Sequence, residues 1–184
     1  MIKICQRLIT LFLLIFCIFS ISYAQNPESV AAVRLSFTDP ASLRFTGYAG
    51  IVHPLISFDK DGSHKNFETS YTVGMPTGIK LWKGSKVGFS FEVVPFIRSE
   101  NGTSKMNNFL FHPVILFSPG AGYTLAGRAA FQTSGRFGLT PVLNKVIRKN
   151  KNSQYFIALP FPVRFGNDRP SSFGAAFNLE FVSE

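Results

Sequence analysis

Residues 172–182 read Ser172-Phe173-Gly174-Ala175-Ala176-Phe177-Asn178-Leu179-Glu180-Phe181-Val182. Phe173, Ala175, Phe177, Leu179 and Phe181 fall on one alternate set, and Ser172, Gly174, Ala176, Asn178 and Glu180 on the other. A β-strand sends successive side chains to opposite faces, so this period of two predicts a strand with one apolar face and one small or polar face. The alternation is clearest over 67–81, where Phe67, Thr69, Tyr71, Val73, Met75, Thr77, Ile79 and Leu81 oppose Glu68, Ser70, Thr72, Gly74, Pro76, Gly78 and Lys80. It returns over 86–98, with Val87, Phe89, Phe91, Val93, Pro95 and Ile97 against Lys86, Gly88, Ser90, Glu92 and Arg98, and with Val94 and Phe96 as exceptions. Over 121–132, Tyr123, Leu125, Ala129 and Phe131 oppose Gly122, Thr124, Arg128 and Gln132. Segments 43–58, 107–117, 136–147 and 154–165 carry the pattern less cleanly and bring the strands to about eight.

Turn-forming stretches separate the segments: 59–63, 83–85, 99–104, 118–120, 133–135, 148–153 and 167–170. Each is short enough for an antiparallel hairpin, and no segment of useful length has a helical period. The expected fold is therefore all-β: a single antiparallel up-and-down barrel of about eight strands over 43–184. Residues 25–42 precede it as a linker, with one short extra strand at Val33–Phe37.

The first 24 residues read as a cleaved secretory signal. Lys3 and Arg7 give a positive start, Leu8 to Ile21 are almost unbroken apolar, and Ser22-Tyr23-Ala24 fits the small-x-small cleavage rule ahead of Gln25. The apolar core falls short of the roughly 20 residues that a membrane anchor needs. Cys17 follows Phe16 rather than the small residue that lipidation requires. Both cysteines, Cys5 and Cys17, lie in this segment, so the expected mature chain has no disulfide, thiolate metal ligand or thiol nucleophile. Its net charge falls from +9 to 9 − 2 = +7, because the segment carries two basic residues and no acidic one. No later stretch is apolar enough for a transmembrane helix, so a membrane could be crossed only by strands.

Alternation by itself fits a soluble barrel or sandwich, with large apolar residues inside, or a membrane barrel, where the order inverts. Three features favour inversion. The polar face is rich in Gly, Ser and Thr, which suits a narrow interior. Its charges are few and of both signs, Arg44, Lys80 and Arg136 among them. Phenylalanine crowds the apolar face. Inversion predicts Phe89, Phe91, Val93, Phe173, Phe177, Leu179 and Phe181 facing lipid, with Glu92, Arg128, Asn178 and Glu180 facing the lumen.

With the signal ending Ser22-Tyr23-Ala24-Gln25, eight alternating segments and an aromatic-rich last strand, the chain resembles the small eight-stranded outer-membrane barrels of the OmpA and OmpX type. The resemblance covers 43–182 and is one of pattern. It implies a bacterial outer-membrane location, a side-chain-filled and ion-paired lumen, contact with outer-membrane lipid, and delivery by periplasmic chaperones and the barrel-assembly machinery. Three features depart from the type. The chain ends Phe181-Val182-Ser183-Glu184 rather than on an aromatic residue. The turn after the fifth strand is short and the one after the sixth is long, against the usual order of short inner turns and long outer loops. Pro54, Pro76, Pro95, Pro113, Pro141, Pro160 and Pro162 fall within strands, where each removes a ladder donor and demands a bulge or a break.

The search for chemistry finds no catalytic motif. There is no phosphate-binding glycine loop and no Gly-x-Ser-x-Gly elbow. His53, His64 and His112 lack metal-site spacing; His53 and His112 read as strand-end polar residues and His64 as a solvated loop residue. No cofactor is expected. Glu68, Glu92, Arg98, Arg128, Arg164 and Glu180 share the inferred lumen face, as a structural ion-pair network or as the lining of a selective pore. Lys145, Arg148, Lys149 and Lys151 form a basic cluster that fits a solvated loop or contact with lipid phosphate or acidic polysaccharide. Nucleic acid is not an expected partner. The expected function is a non-enzymatic structural or interaction barrel whose loops carry any specificity, with an envelope protein as a further partner. The alternatives are a soluble periplasmic or secreted barrel or sandwich that binds an apolar ligand or a protein, a small pore, and a lipid-modifying enzyme with a Ser/His/acid set.

Overall fold

The computed structural model describes residues 43–183. The signal segment 1–24 and the linker 25–42 lie outside them. The described chain is all-β, with β1 Arg44–Asp59, β2 Gly62–Lys65, β3 Tyr71–Gly74, β4 Thr77–Lys83, β5 Val87–Glu100, β6 Thr103–Gly120, β7 Tyr123–Gln132, β8 Phe137–Lys149, β9 Ser153–Pro160, β10 Val163–Phe165 and β11 Ser172–Ser183. Neighbours pair antiparallel from β1 through β4, β5, β6, β7, β8 and β9 to β11. The last strand then pairs with β1, with Leu179 opposite Ile51 and Phe177 opposite His53, and the ring of hydrogen bonds closes. Closure removes the free sheet edges. Counting β3 with β4 and β9 with β10 as interrupted strands, the closed, barrel-like sheet has eight staves, as the sequence predicts. The short β2 is an addition, a hairpin partner to the end of β1.

Proline explains both interruptions. Pro76 separates β3 from β4, and Pro162 separates β9 from β10. Each lacks a backbone N–H, so the ladder breaks there. The carbonyls beside the breaks still find donors: Gly50 N donates to Pro76 O at 2.8 Å and Gly174 N to Pro162 O at 2.9 Å. Between neighbouring strands, Met75 N donates to Pro95 O at 3.0 Å and Phe161 N to Pro141 O at 2.9 Å. Pro54 coincides with a register shift between Pro54 and Ile56. The prolines thus act as breaks and bulges, and the carbonyls named here remain bonded.

One end of the barrel carries both strand termini, Arg44 and Ser183, and three tight turns around Gly84, Ala121 and Lys151; we call it the turn end. The opposite, loop end holds the longer links between β1 and β3 and between β10 and β11. The connection after the sixth stave, expected to be long, contains only 150–152, because Arg148 and Lys149 still belong to β8. With that correction the three links at the turn end are all short. The β5–β6 link also tightens from the expected 99–104 to Asn101-Gly102, both at positive φ (50° and 72°), the geometry of a type I′ hairpin turn.

The direction of the side chains is the main result. Phe89, Phe91, Phe173, Leu179 and Phe181 are exposed on the outer wall, while Glu92 and Asn178 have no accessible surface. Val93 and Phe177 are half-buried and alternate with buried interior residues. Along β6 the outward set runs Phe109, Phe111, Pro113, Ile115 and Phe117, and the inward set Leu110, His112, Val114 and Leu116 is buried. Bulky apolar groups cover the outside, and the interior holds the charges.

Candidate functional site

The interior stacks in layers. Towards the loop end Val52, Val94, Leu110, Ala130 and Ala176 pack together, with Phe96 against them. Towards the turn end lie Val114, Leu116, Ala126, Val142 and Ala158, with Trp82 against them. Between these apolar groups sits a layer of charge, built by alternation on six strands, β1, β4, β5, β6, β7 and β11.

Glu92 of β5 is its centre. Oε1 accepts from His112 Nδ1 at 2.7 Å and lies 3.0 Å from Arg128 Nη1. Oε2 accepts from Tyr48 Oη at 3.0 Å. The single Tyr48 proton is used there, so the Ser90 hydroxyl, 3.0 Å away, donates to the Tyr48 oxygen. Glu180 of β11 is the second acid. Its Oε1 accepts from Arg128 Nη2 at 3.1 Å and from Asn178 Nδ2 at 2.8 Å. Its Oε2 accepts from Lys80 Nζ at 3.2 Å. Arg128 therefore bridges both acids, Lys80 completes the balance, and two cations offset two carboxylates. All four carboxylate oxygens are bonded, which a buried charge requires. The Lys80 ammonium also sits 4.3 Å from the centre of the Tyr48 ring and 4.9 Å from that of Phe156.

Space for this layer comes from glycine. A Cβ on Gly78 would meet the Phe91 carbonyl and stand 2.7 Å from the Tyr48 ring. Only a residue without Cβ lets Tyr48 reach across to Ser90 and Glu92.

Of the six expected lumen residues, Glu92, Arg128 and Glu180 come together as read from sequence. Glu68 does not. It lies in the link after β2, exposed, and pairs with Lys65 at 3.0 Å, because the strand begins at Tyr71 rather than Phe67. Arg98 does not join either. It sits near the tip of the β5–β6 hairpin, beyond a register shift at Phe96/Ile97, and pairs with Glu100 at 3.2 Å in solvent. Arg164 is buried but meets no carboxylate there. Its Nη1 donates to Leu139 O at 3.1 Å and Val163 O at 3.0 Å, beside the break made by Pro162.

His112, expected to be a strand-end residue, is instead buried in the charge layer. His53 stands mid-strand on β1, half-buried, with its Nδ1 3.0 Å from Tyr71 Oη. His64 is exposed, 3.2 Å from Asp59. The Asp61 amide, with His64 beside it, holds the Asp59 carboxyl below its ordinary range. Sequence reasoning missed Tyr48 and Ser90 as partners of Glu92. The parity of Ser90 with Glu92 on β5 was the available sign.

The basic cluster lies at the end of β8 and in the turn that follows. Arg148, Lys149 and Lys151 are exposed. Lys145 donates to Ala121 O at 2.7 Å and lies 3.7 Å above the Tyr123 ring. Among the described residues no group of three or more His, Cys, Asp or Glu is placed to hold a metal ion. Comparison of the chain with protein-family models, with curated proteins and with solved structures finds no match.

Proposed function

We propose that this chain is a non-enzymatic outer-membrane β-barrel with a structural or interaction role, its loops carrying any binding specificity. The observation that supports it is the inverted wall. Residues such as Phe89, Ile115 and Leu139, each 60% exposed, stand outside, while Glu92, Arg128 and Glu180 are buried inside. In water this arrangement exposes what should be hidden and hides what should be hydrated; in lipid it is the favourable order. The outward apolar run on β6, Phe109 to Phe117, covers 117 − 109 + 1 = 9 residues, within the roughly 9–11 that a tilted strand needs to cross a bilayer. The continuous backbone ring meets the other demand of a bilayer, that polar main-chain groups bond internally.

Within this reading the charge layer is a structural core. Its carboxylates are saturated by protein donors, and packed apolar side chains lie on its loop side, which disfavours a conducting pore. Outer-membrane lipid, periplasmic chaperones and the barrel-assembly machinery are the partners it implies, with an envelope protein at the loops as a further one. Envelope fractionation followed by an alkaline carbonate wash tests the reading. The mature chain is expected to stay with the outer membrane, and the protein in planar bilayers is expected to give no steady conductance. Recovery in the soluble periplasm would contradict the membrane location.

A further inference from the structure

The interior is not filled evenly. On the turn side of the charge layer lies a cavity of about 350 Å³, at the small end of the range for organic-ligand pockets. Three of the side chains that line it, Thr46, Asn144 and Arg128, each keep one polar atom buried behind the wall without a protein partner (Oγ1, Oδ1 and Nε). The rest of the lining is mixed, with aromatic side chains such as Trp82 and Phe156 beside polar ones such as Ser90, Ser118 and Thr124.

Charge completes the case. Lys80 and Arg128, deep in the cavity, are offset by Glu180 and Glu92. Arg44 and Lys149, which also line it, have no ion-pair partner among the described residues. Around them the turn end carries Lys83, Lys86, Arg148 and Lys151, all exposed. No described acid lies at that end: Asp59, Asp61, Glu68, Glu100 and Asp168 are at the loop end, and Glu92 and Glu180 are interior. Among the described residues the charges around this concave site are basic, and such a site concentrates small ions of the opposite sign.

We propose that this cavity binds a small amphipathic anion, a phosphate monoester with a short apolar chain. Arg44 and Lys149 hold the phosphate, and the apolar chain lies against Trp82 and Phe156. An alkyl phosphate carries about 1.5 to 2 negative charges near neutral pH, against one on a carboxylate, and so answers two cations better. A cavity of this size takes a short ester rather than a diacyl lipid. The proposal does not rest on membrane location, so fractionation and ligand binding fail separately.

Trp82 is the only tryptophan in the chain, so its emission reports on the cavity. The mature protein, refolded in an uncharged detergent, is titrated with hexyl phosphate, hexanoate, inorganic phosphate and hexylamine. Hexyl phosphate is expected to shift Trp82 emission saturably, hexanoate more weakly, and the other two not over the same range. Lys149→Glu, at an exposed position that leaves the fold intact by circular dichroism, is expected to weaken hexyl phosphate by about fivefold. Added salt is expected to weaken it too. A non-saturating response, an equal response to hexylamine or to inorganic phosphate, or an unchanged affinity in Lys149→Glu would overturn the proposal.

Discussion

Arg128 is the residue on which the interior turns. It touches both buried carboxylates, so replacing it leaves two acids facing one cation. Removing one partner of a buried ion group costs about 3–5 kcal/mol, most of it from the charge left behind. Arg128→Met is therefore expected to lower stability by that amount in a urea titration of the refolded protein. Adding Glu92→Gln removes the stranded carboxylate and is expected to recover part of the loss. No recovery would mean that the layer is not an electrostatic unit. Glu92, Arg128 and Glu180 were legible in sequence because each is a lone charge on the small-residue side of a clean alternation. His112 was not, since Phe109, Phe111, Leu110 and Val114 make both faces of β6 apolar and parity has nothing to separate. Glu68 and Arg98 failed for another reason. Glu68 lies before its strand begins, and Arg98 lies past a register shift near the hairpin tip; parity reports neither.

The strands themselves show how local chemistry sets the ring. Eight staves and their order follow from alternation and turn residues, and seven in-strand prolines were the apparent objection. The breaks at Pro76 and Pro162, and the acceptance of bonds from neighbouring strands by the Pro76, Pro95, Pro141 and Pro162 carbonyls, remove much of it. What sequence could not supply was the length of each hairpin, because a strand continues into polar residues wherever its neighbour continues with it. The 103–105 stretch of β6, Thr103-Ser104-Lys105, is an example: it is polar yet paired with β5. The Asn101-Gly102 turn that joins them gives a clean test. A Cβ on Gly102 meets nothing within 4 Å, and its φ is +72°. Gly102→Ala therefore acts through backbone strain alone. It is expected to cost about 1–2 kcal/mol, read as a shifted denaturation midpoint with an unchanged slope. A neutral result would show that this hairpin does not use the left-handed turn.

At the scale of the molecule, the inversion of polarity gives the structure its meaning. The same eight staves with their faces exchanged would be a soluble barrel. The sequence could show that the faces differ, but only the closed ring shows which one is inside. A collision measurement tests this most directly. The only cysteines, Cys5 and Cys17, precede the described residues, so a single cysteine at Leu179, 48% exposed on the outer wall, can carry a nitroxide in the protein reconstituted into lipid vesicles. The account predicts that dissolved oxygen, which concentrates in lipid, relaxes this label far more than a water-soluble nickel chelate does. A label reached better by the nickel chelate, or shielded from both, would contradict a lipid-facing wall.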